Sequence, residues 1–520
     1  MSDSSPPIQP SIGARWPDVA AFAVLVFATA IYVLPQFANA PLPNSDVAVV
    51  GLQAMHLLRG EWAATTWGVF YQGILYPLVH AACFLLTGPS GLSLVASSFA
   101  AFVIVQAFLY ATLRRRLGIA ATFVLCLLTA FICSAASLWV FHPRFWCLAI
   151  MFGALWLVDG ANRSSRPVLC GAAAALLIVF ADYVDAFAAF LAPGVIVLAI
   201  CAAFDQTASS KVRTSVLVSF FACLVVSGLA FLIIRSHMHL TQSFLMPDAA
   251  RRLRNLNLLW TQCLPYMLGT KWFHLYTVST FQPDGLTRVL VDAAAGLCCL
   301  LYVAGIGLVA DRSIAWEIRR LAVCALVMAV VGVTGFTWSH FTTDINAVRY
   351  LSGLILTAPF AMAPAAARWG VKLTSALLLP FLVASIAGGA ISQGYSCATF
   401  HDLADPASLT APDRKLGEFL EQRGVTYAAS DYWTAYRLTF VLAEKVIVVP
   451  SAIKSNRYDP YALGFMRAPR IAYVFPSTPA TAPALASSII YLNGPPREAY
   501  ENVYGYLVFI YDRKPAAQAR

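Results

Sequence analysis

The chain has 520 residues, of which 59% are hydrophobic and only 12% charged, with a mean hydropathy of +0.71. A soluble domain carries about 25% charged residues, so that class is excluded and a multi-spanning integral membrane protein is expected. The formal net charge of +10 arises from 35 Lys and Arg against 25 Asp and Glu, but most basic residues sit in short loops between apolar runs, where they set orientation. No nucleic acid is therefore expected as a partner.

Residues 1–16 are polar, rich in Pro and Ser, and read as a cytoplasmic tail ahead of an apolar run from about Val19 to Leu34. Ala38-Asn39-Ala40 resembles a signal-peptide cleavage site, yet the weakly charged start and the many later spans favour an uncleaved first helix. The stretch Asn44–Tyr71 follows, with Asp46 placed at the expected outer surface. The next apolar run, 73–86, contains Pro77 and His80 and falls short of the ~20 residues a ~30 Å bilayer core needs. Because Leu92–Leu113 ends in Arg114-Arg115-Arg116, which belongs inside, only one span fits between Asn44 and that cluster. Residues 73–86 are therefore expected to lie along the outer membrane surface.

With that choice the later basic clusters alternate correctly. Spans are expected near 119–140, 145–159, 168–186, 188–204, 214–235, 287–310, 321–339, 351–367 and 373–392, giving about eleven in all, with the N-terminus inside and the C-terminus outside. The expected organisation is a tail (1–16), a membrane domain (17–392) with outer loops at 38–90 and 236–286, and an outer α/β domain (393–520). That last piece holds β-rich runs at Val425–Ala429, Val446–Val449, Ile471–Phe475, Ser488–Leu492 and Leu507–Tyr511, with helical runs near 413–423 and 433–443. Ten of the twelve cysteines fall in apolar segments, where Cys behaves as a small hydrophobe. Cys263 and Cys397 fall outside them, and spacing alone does not pair them.

Polar residues collect at the expected outer ends of helices: Asp46, His142 and Arg144, Asp182 and Asp185, then His340, Asp344, Asn346 and Arg349. The loop 251–274 adds Arg251, Arg252, Arg254, Lys271, Trp272 and His274. Ionisable groups at this depth mark function. A carboxylate suits a general base, and guanidinium groups suit a phosphate. Each has a blander alternative. Asp46 could cap the helix that Asn44-Ser45-Asp46 begins, and Asp182 and Asp185 could bond at a helix end instead of binding a cation or an acceptor. The 251–254 run could touch anionic headgroups. His56 and His80 read as interfacial or buried partners, not ligands. Asp431, Tyr432, Trp433 and Tyr436 either contact a sugar or pack at a strand-to-helix junction.

The pattern Asp46-x-Ala48-x-x-Gly51-Leu52-x-Ala54-x-x-Leu57-Leu58-x-Gly60 and the turn Trp67-Gly-Val-Phe-Tyr-Gln-Gly73 precede that surface helix. Together with Asp344-Ile-Asn-Ala-Val-Arg349-Tyr350-Leu351 and Ser430-Asp-Tyr-Trp-Thr-Ala-Tyr-Arg-Leu-Thr-Phe440, they resemble the GT-C membrane glycosyltransferases. The closest branch is the bacterial one related to protein O-mannosyltransferases and the lipid A aminoarabinose transferase. The first-loop motif here has a single acidic residue where the family commonly has Asp-Glu. The resemblance implies a GT-C fold of about eleven transmembrane helices with a periplasmic juxtamembrane helix and a small C-terminal periplasmic α/β domain. It also implies inverting transfer of a sugar from a polyprenyl-phosphate donor to a periplasmic lipid, glycan or protein acceptor, in the bacterial inner membrane, with no cofactor or metal expected. Asp46 would be the base. Arg349, with Lys271 or one of Arg251, Arg252 and Arg254, would hold the donor phosphate, and Tyr71, Gln72, His142, Arg144, Asp182, Asp185, Asp344 and Tyr350 are further substrate-binding candidates. The rivals are a transporter or flippase of a lipid-linked sugar, which would keep its polar groups near the bilayer midplane, and a non-catalytic glycan-binding membrane protein.

Overall fold

The computed structural model describes residues 16–69, 71–132, 144–237, 248–274, 279–477 and 482–513. Helices dominate up to residue 422: α1 (Trp16–Tyr32), α2 (Leu34–Ala38), α3 (Ser45–Leu58), α4 (Leu75–Thr87), α5 (Gly91–Arg114), α6 (Ile119–Ala130), α7 (Arg144–Gly160), α8 (Pro167–Val184), α9 (Ala192–Ala202) and α10 (Ser210–His237). They continue with α11 (Ala249–Leu258), α12 (Leu264–Met267), α13 (Gly285–Gly307), α14 (Trp316–Thr337), α15 (Ser352–Ser392), α16 (Cys397–Ala404) and α17 (Pro406–Gln422). Among the described residues, seven helical segments are long and apolar enough to cross a membrane. The last of them is divided at Gly370, where φ is 78°, so the apolar runs expected at 351–367 and 373–392 lie on either side of a sharp bend. The chain is an integral membrane protein. Helix α4 has 13 residues, about 20 Å at 1.5 Å per residue, and is too short to span.

The main core is apolar and runs through α5, α7, α8, α9, α14 and α15, with Phe102, Phe152, Leu198, Leu321 and Phe360 buried in it. The basic clusters that hydropathy assigns to one side do meet. Asp159 at the end of α7 receives Arg115, Arg116 and Arg320 at 3.1, 2.5 and 3.2 Å. Arg320 also reaches Asp205 at 3.3 Å. Buried charges need such partners, and this network ties the ends of three helices.

The C-terminal part adds α18 (Tyr432–Val441), α19 (Asp459–Arg467) and α20 (Ala482–Asn493) around a five-stranded sheet. Its strands are β3 (Tyr427–Ser430), β4 (Ile447–Pro450), β5 (Arg470–Pro476), β6 (Glu498–Val503) and β7 (Tyr506–Asp512), in the order β4-β3-β5-β7-β6. A separate antiparallel pair of strands, β1 (Trp272–His274) and β2 (Ser279–Phe281), lies in the earlier loop. In the sheet β3 is parallel to β4 and β5, while β7 is antiparallel to β5 and β6. One face buries Leu416, Leu420, Ala435 and Leu438 from α17 and α18.

The run Ser488–Leu492, expected as a strand, is the last turns of α20. Only Ile489 is buried, at 6% exposure, while Tyr491 is 89% and Leu492 77% exposed. One contact per turn suits a helix laid on the sheet and would leave a strand with no buried face. Residues 498–503, with their charges, form the edge strand instead.

A second core joins this domain to the first loop. Val47, Leu52, Trp67 and Phe84 pack with Ala429, Tyr436, Phe440 and Tyr461. Gly51 on α3 is required by this packing, because a Cβ there would lie 2.6 Å from the Phe440 ring on α18.

Candidate active site

Asn44, not Asp46, caps α3: its side chain accepts from the Val47 amide at 3.0 Å. Ser45 is also occupied, its hydroxyl donating to the Tyr432 and Trp433 carbonyls at 2.5 and 2.9 Å. Asp46 is thus released from capping and keeps 38% of its side chain exposed. Its Oδ1 accepts a short hydrogen bond from the Tyr432 hydroxyl on α18, and Arg457 Nη2 stands 3.9 Å away. Burial, with the Asp46 carboxylate next, pushes the Tyr432 phenol well above its ordinary range. Burial opposes the charge of Arg457, but the Tyr432 oxygen and Asp46 outweigh it and its pKa is raised.

The loop after α3 is clamped from several sides. Gln53 donates to the Thr65 carbonyl at 2.8 Å and accepts from the Trp67 amide at 3.0 Å. The Trp67 ring stacks on Tyr458 at 3.8 Å, and Arg457 Nη1 bonds the Gly68 carbonyl at 2.7 Å. Gly68 has φ +62°, and a Cβ there would come within 2.8 Å of the Arg457 Cα. Only glycine accepts both that backbone conformation and that approach.

Asp46, Thr66, Tyr71, Gln72, Arg144, Arg349, Tyr350, Tyr432 and Arg457 line one polar cleft of about 100 Å³. Three guanidinium groups there face one carboxylate. At Tyr71, Arg144 and Tyr350 the cleft meets a larger cavity of about 530 Å³, walled by Phe187, Phe190, Val330, Phe336, Trp338 and Phe341, with Asp182, Asp185 and Arg235 also lining it. Burial pushes the Tyr71 phenol up to about 12, with Asp185 adding to the shift. Tyr350 lies between two arginines, with Arg144 at 5.0 Å and Arg349 at 4.9 Å from its ring centre.

Asp185 is committed to structure. It accepts from the Phe187 amide at 2.8 Å, from Gln72 Nε2 at 3.1 Å and from Arg144 Nε at 3.3 Å. These bonds aim Arg144 into the cleft, where its buried Nη1 has no hydrogen-bond partner among the described residues. A buried donor left open is where a ligand atom belongs. Asp182 pairs with Arg235 at 3.6 Å. Among the described residues no group of three or more His, Cys, Asp or Glu side chains is arranged to hold a metal ion.

Other candidates lie elsewhere. Arg251 donates to the His340 carbonyl at 2.5 Å, Arg252 stands over the Trp338 ring at 5.5 Å, and Arg254 is exposed. None of these, nor Lys271, lines the cleft. Asp344 accepts from the Asn346 amide at 2.8 Å and caps the 3-10 turn Ile345–Leu351. That turn carries Arg349 to the cleft. His142 lies outside the described residues. In the C-terminal cluster Asp431 caps α18 and Tyr436 is fully buried, while Trp433 is 54% exposed. Cys263 and Cys397 are both free. Sequence reading missed Arg457 altogether and left the role of Tyr432 open; neither has a local signal that ties it to Asp46.

No family model matches the sequence, and no curated protein matches it. Solved structures do. ArnT from Cupriavidus metallidurans bound to undecaprenyl phosphate superimposes with a TM-score of 0.55 and 12% identity, over 96% of this chain and 98% of that one. The oligosaccharyltransferase of Archaeoglobus fulgidus in its apo form gives 0.50 at 12% identity, over 88% of this chain and 69% of that one. At such identity the likeness is one of architecture: this chain carries the GT-C fold, a helical membrane domain followed by a small C-terminal sheet domain.

Proposed function

We propose that the protein is a glycosyltransferase that moves a sugar from a polyprenyl-phosphate carrier to a hydroxyl acceptor. The observation that carries this is the cleft itself: a part-exposed Asp46 that caps no helix shares about 100 Å³ with Arg144, Arg349 and Arg457, and that space meets a larger, mainly apolar cavity of about 530 Å³. An isoprenoid chain matches the apolar walls. Its phosphate matches the open Nη1 of Arg144 at the junction and the Arg349 guanidinium in the adjoining cleft. The solved ArnT structure contains undecaprenyl phosphate, a carrier of this chemical kind.

The reaction is a single displacement. The acceptor oxygen attacks the anomeric carbon as its proton passes to Asp46, and the bond from that carbon to the phosphate oxygen breaks. The electron pair leaves on the polyprenyl phosphate, whose charge the guanidinium groups meet. One displacement inverts the anomeric centre. The acceptor is a periplasmic lipid, glycan or protein hydroxyl. In this reading the protein sits in the bacterial inner membrane, with residues 1–16 cytoplasmic, 17–392 in and beside the membrane, and 393–520 periplasmic. Leaving-group charge is assigned to arginine, so no divalent cation is required.

The test uses purified protein in proteoliposomes, a panel of synthetic polyprenyl-phosphate hexoses and pentoses, and an envelope extract as acceptor source. Release of polyprenyl phosphate is expected from at least one donor, and Asp46→Asn is expected to abolish it while the protein inserts and folds normally. An Asp46→Asn protein with near-normal turnover would overturn the assignment of the base.

A further inference from the structure

Side chains about four hundred residues apart in sequence meet at Asp46. Arg457 is fixed at three points besides Asp46: its amide bonds the Tyr436 hydroxyl at 2.6 Å, its Nη1 the Gly68 carbonyl at 2.7 Å, and its Nε the Tyr432 hydroxyl at 3.2 Å. Arginine has donors and no acceptor. The Tyr432 oxygen must therefore accept from Arg457, which leaves its single proton to be donated, and it is donated to Asp46 Oδ1. The guanidinium thus sets the polarity of the phenol, and the raised pKa of Tyr432 keeps that proton in place. Asp46 Oδ2 has no hydrogen-bond partner among the described residues. One carboxylate oxygen is anchored and the other is open.

We propose that Tyr432 and Arg457, both from the C-terminal domain, are positioning residues for the reaction: Arg457 orients the Tyr432 hydroxyl, which pins Asp46 Oδ1 so that Oδ2 is presented to the acceptor hydroxyl. This rests on the assignment of Asp46 as the base. The C-terminal domain is then a working part of the active site. Gly68 belongs to the same device, because its missing side chain lets the first loop seat against the Arg457 backbone.

The test compares Tyr432→Phe, Arg457→Lys and Asp46→Asn in proteoliposomes, with polyprenyl-phosphate release measured against donor concentration. Tyr432→Phe keeps the ring and removes only the hydroxyl. Misplacing a reacting group by about 1 Å costs on the order of 100-fold, so kcat is expected to fall about 10- to 100-fold with the donor KM within about twofold. Arg457→Lys keeps the charge but cannot bridge Gly68 and Tyr432 together, and is expected to show the same kcat-only loss. A role in folding alone would instead lower the melting temperature and the active fraction without changing turnover per folded molecule, which overturns the proposal. So does wild-type kcat in Tyr432→Phe, or a raised donor KM at unchanged kcat. If Asp46→Asn is inactive while Tyr432→Phe is normal, the positioning role alone fails. If Asp46→Asn is active, the base assignment fails with it.

Discussion

His56 closes a latch between the first loop and the C-terminal domain, and its removal has a calculable cost. The imidazole is buried, with its ring nitrogens 2.8 Å from Glu61 and 2.7 Å from Glu444 and its edge toward Trp67. Burial alone would lower its pKa, but the hydrogen bonds of Glu444 and Glu61 outweigh it and the pKa is raised above 6.5. A charge-assisted hydrogen bond is worth about 1.5–3 kcal/mol when buried, and the Glu444 side chain is 10% exposed. Glu61 is 52% exposed, so its share is about 0–1 kcal/mol. A neutral amide recovers about 1 kcal/mol, which leaves a net loss of about 0.5–3 kcal/mol for His56→Gln. The sign follows from linkage: a raised histidine pKa stabilises fully below the unfolded value and is lost as pH rises through the folded value. Glu444 behaves oppositely. Its pKa is pulled down to about 2, against burial, by His56, Tyr461 and Arg59, so its contribution is lost only in strong acid. Melting of the detergent-solubilised protein should therefore show a gap between wild type and His56→Gln at about pH 6 that narrows by about pH 9. An equal gap at both pH values would refute the imidazolium latch.

Three further outcomes are expected. Arg349→Ala should raise the donor KM and lower kcat by about 100- to 1,000-fold in the release assay; an unchanged donor response would remove it from the phosphate site. Arg144→Ala should act first on stability, because it removes the ion-pair partner of Asp185, whose side chain is 1% exposed and keeps only the Phe187 amide and Gln72, at a cost of up to about 3–5 kcal/mol; a melting temperature equal to wild type would contradict this. Gly51→Leu should cost about 1–3 kcal/mol by overpacking against Phe440, and limited proteolysis should then release the C-terminal domain faster. Unchanged cleavage would mean that the two surfaces yield without strain.

Apolar runs and basic clusters made the helices legible, because lipid imposes length and charge bias on each segment separately. Asp46, Arg349 and the first-loop motif were legible for a similar reason: they sit beside those runs. What escaped depends on contacts between remote residues. The Arg251–Arg254 run has the composition of a phosphate site, yet Arg251 goes to the His340 carbonyl, Arg252 to the Trp338 ring, and Arg254 is exposed. Arg457 has no distinguishing neighbours in sequence, and its role comes from Gly68 and Tyr432. Ser488–Leu492 failed because its β-branched residues speak for a strand while the surface offered to them takes one residue per turn.

The core shared by residues 47–84 and 429–461 also sets an order of assembly. Translation delivers Val47, Leu52, Trp67 and Phe84 well before their partners Ala429, Tyr436 and Tyr461. A nascent chain thus carries this apolar loop without its later partners until they are made, and no fragment ending before Arg457 can form the complete cleft.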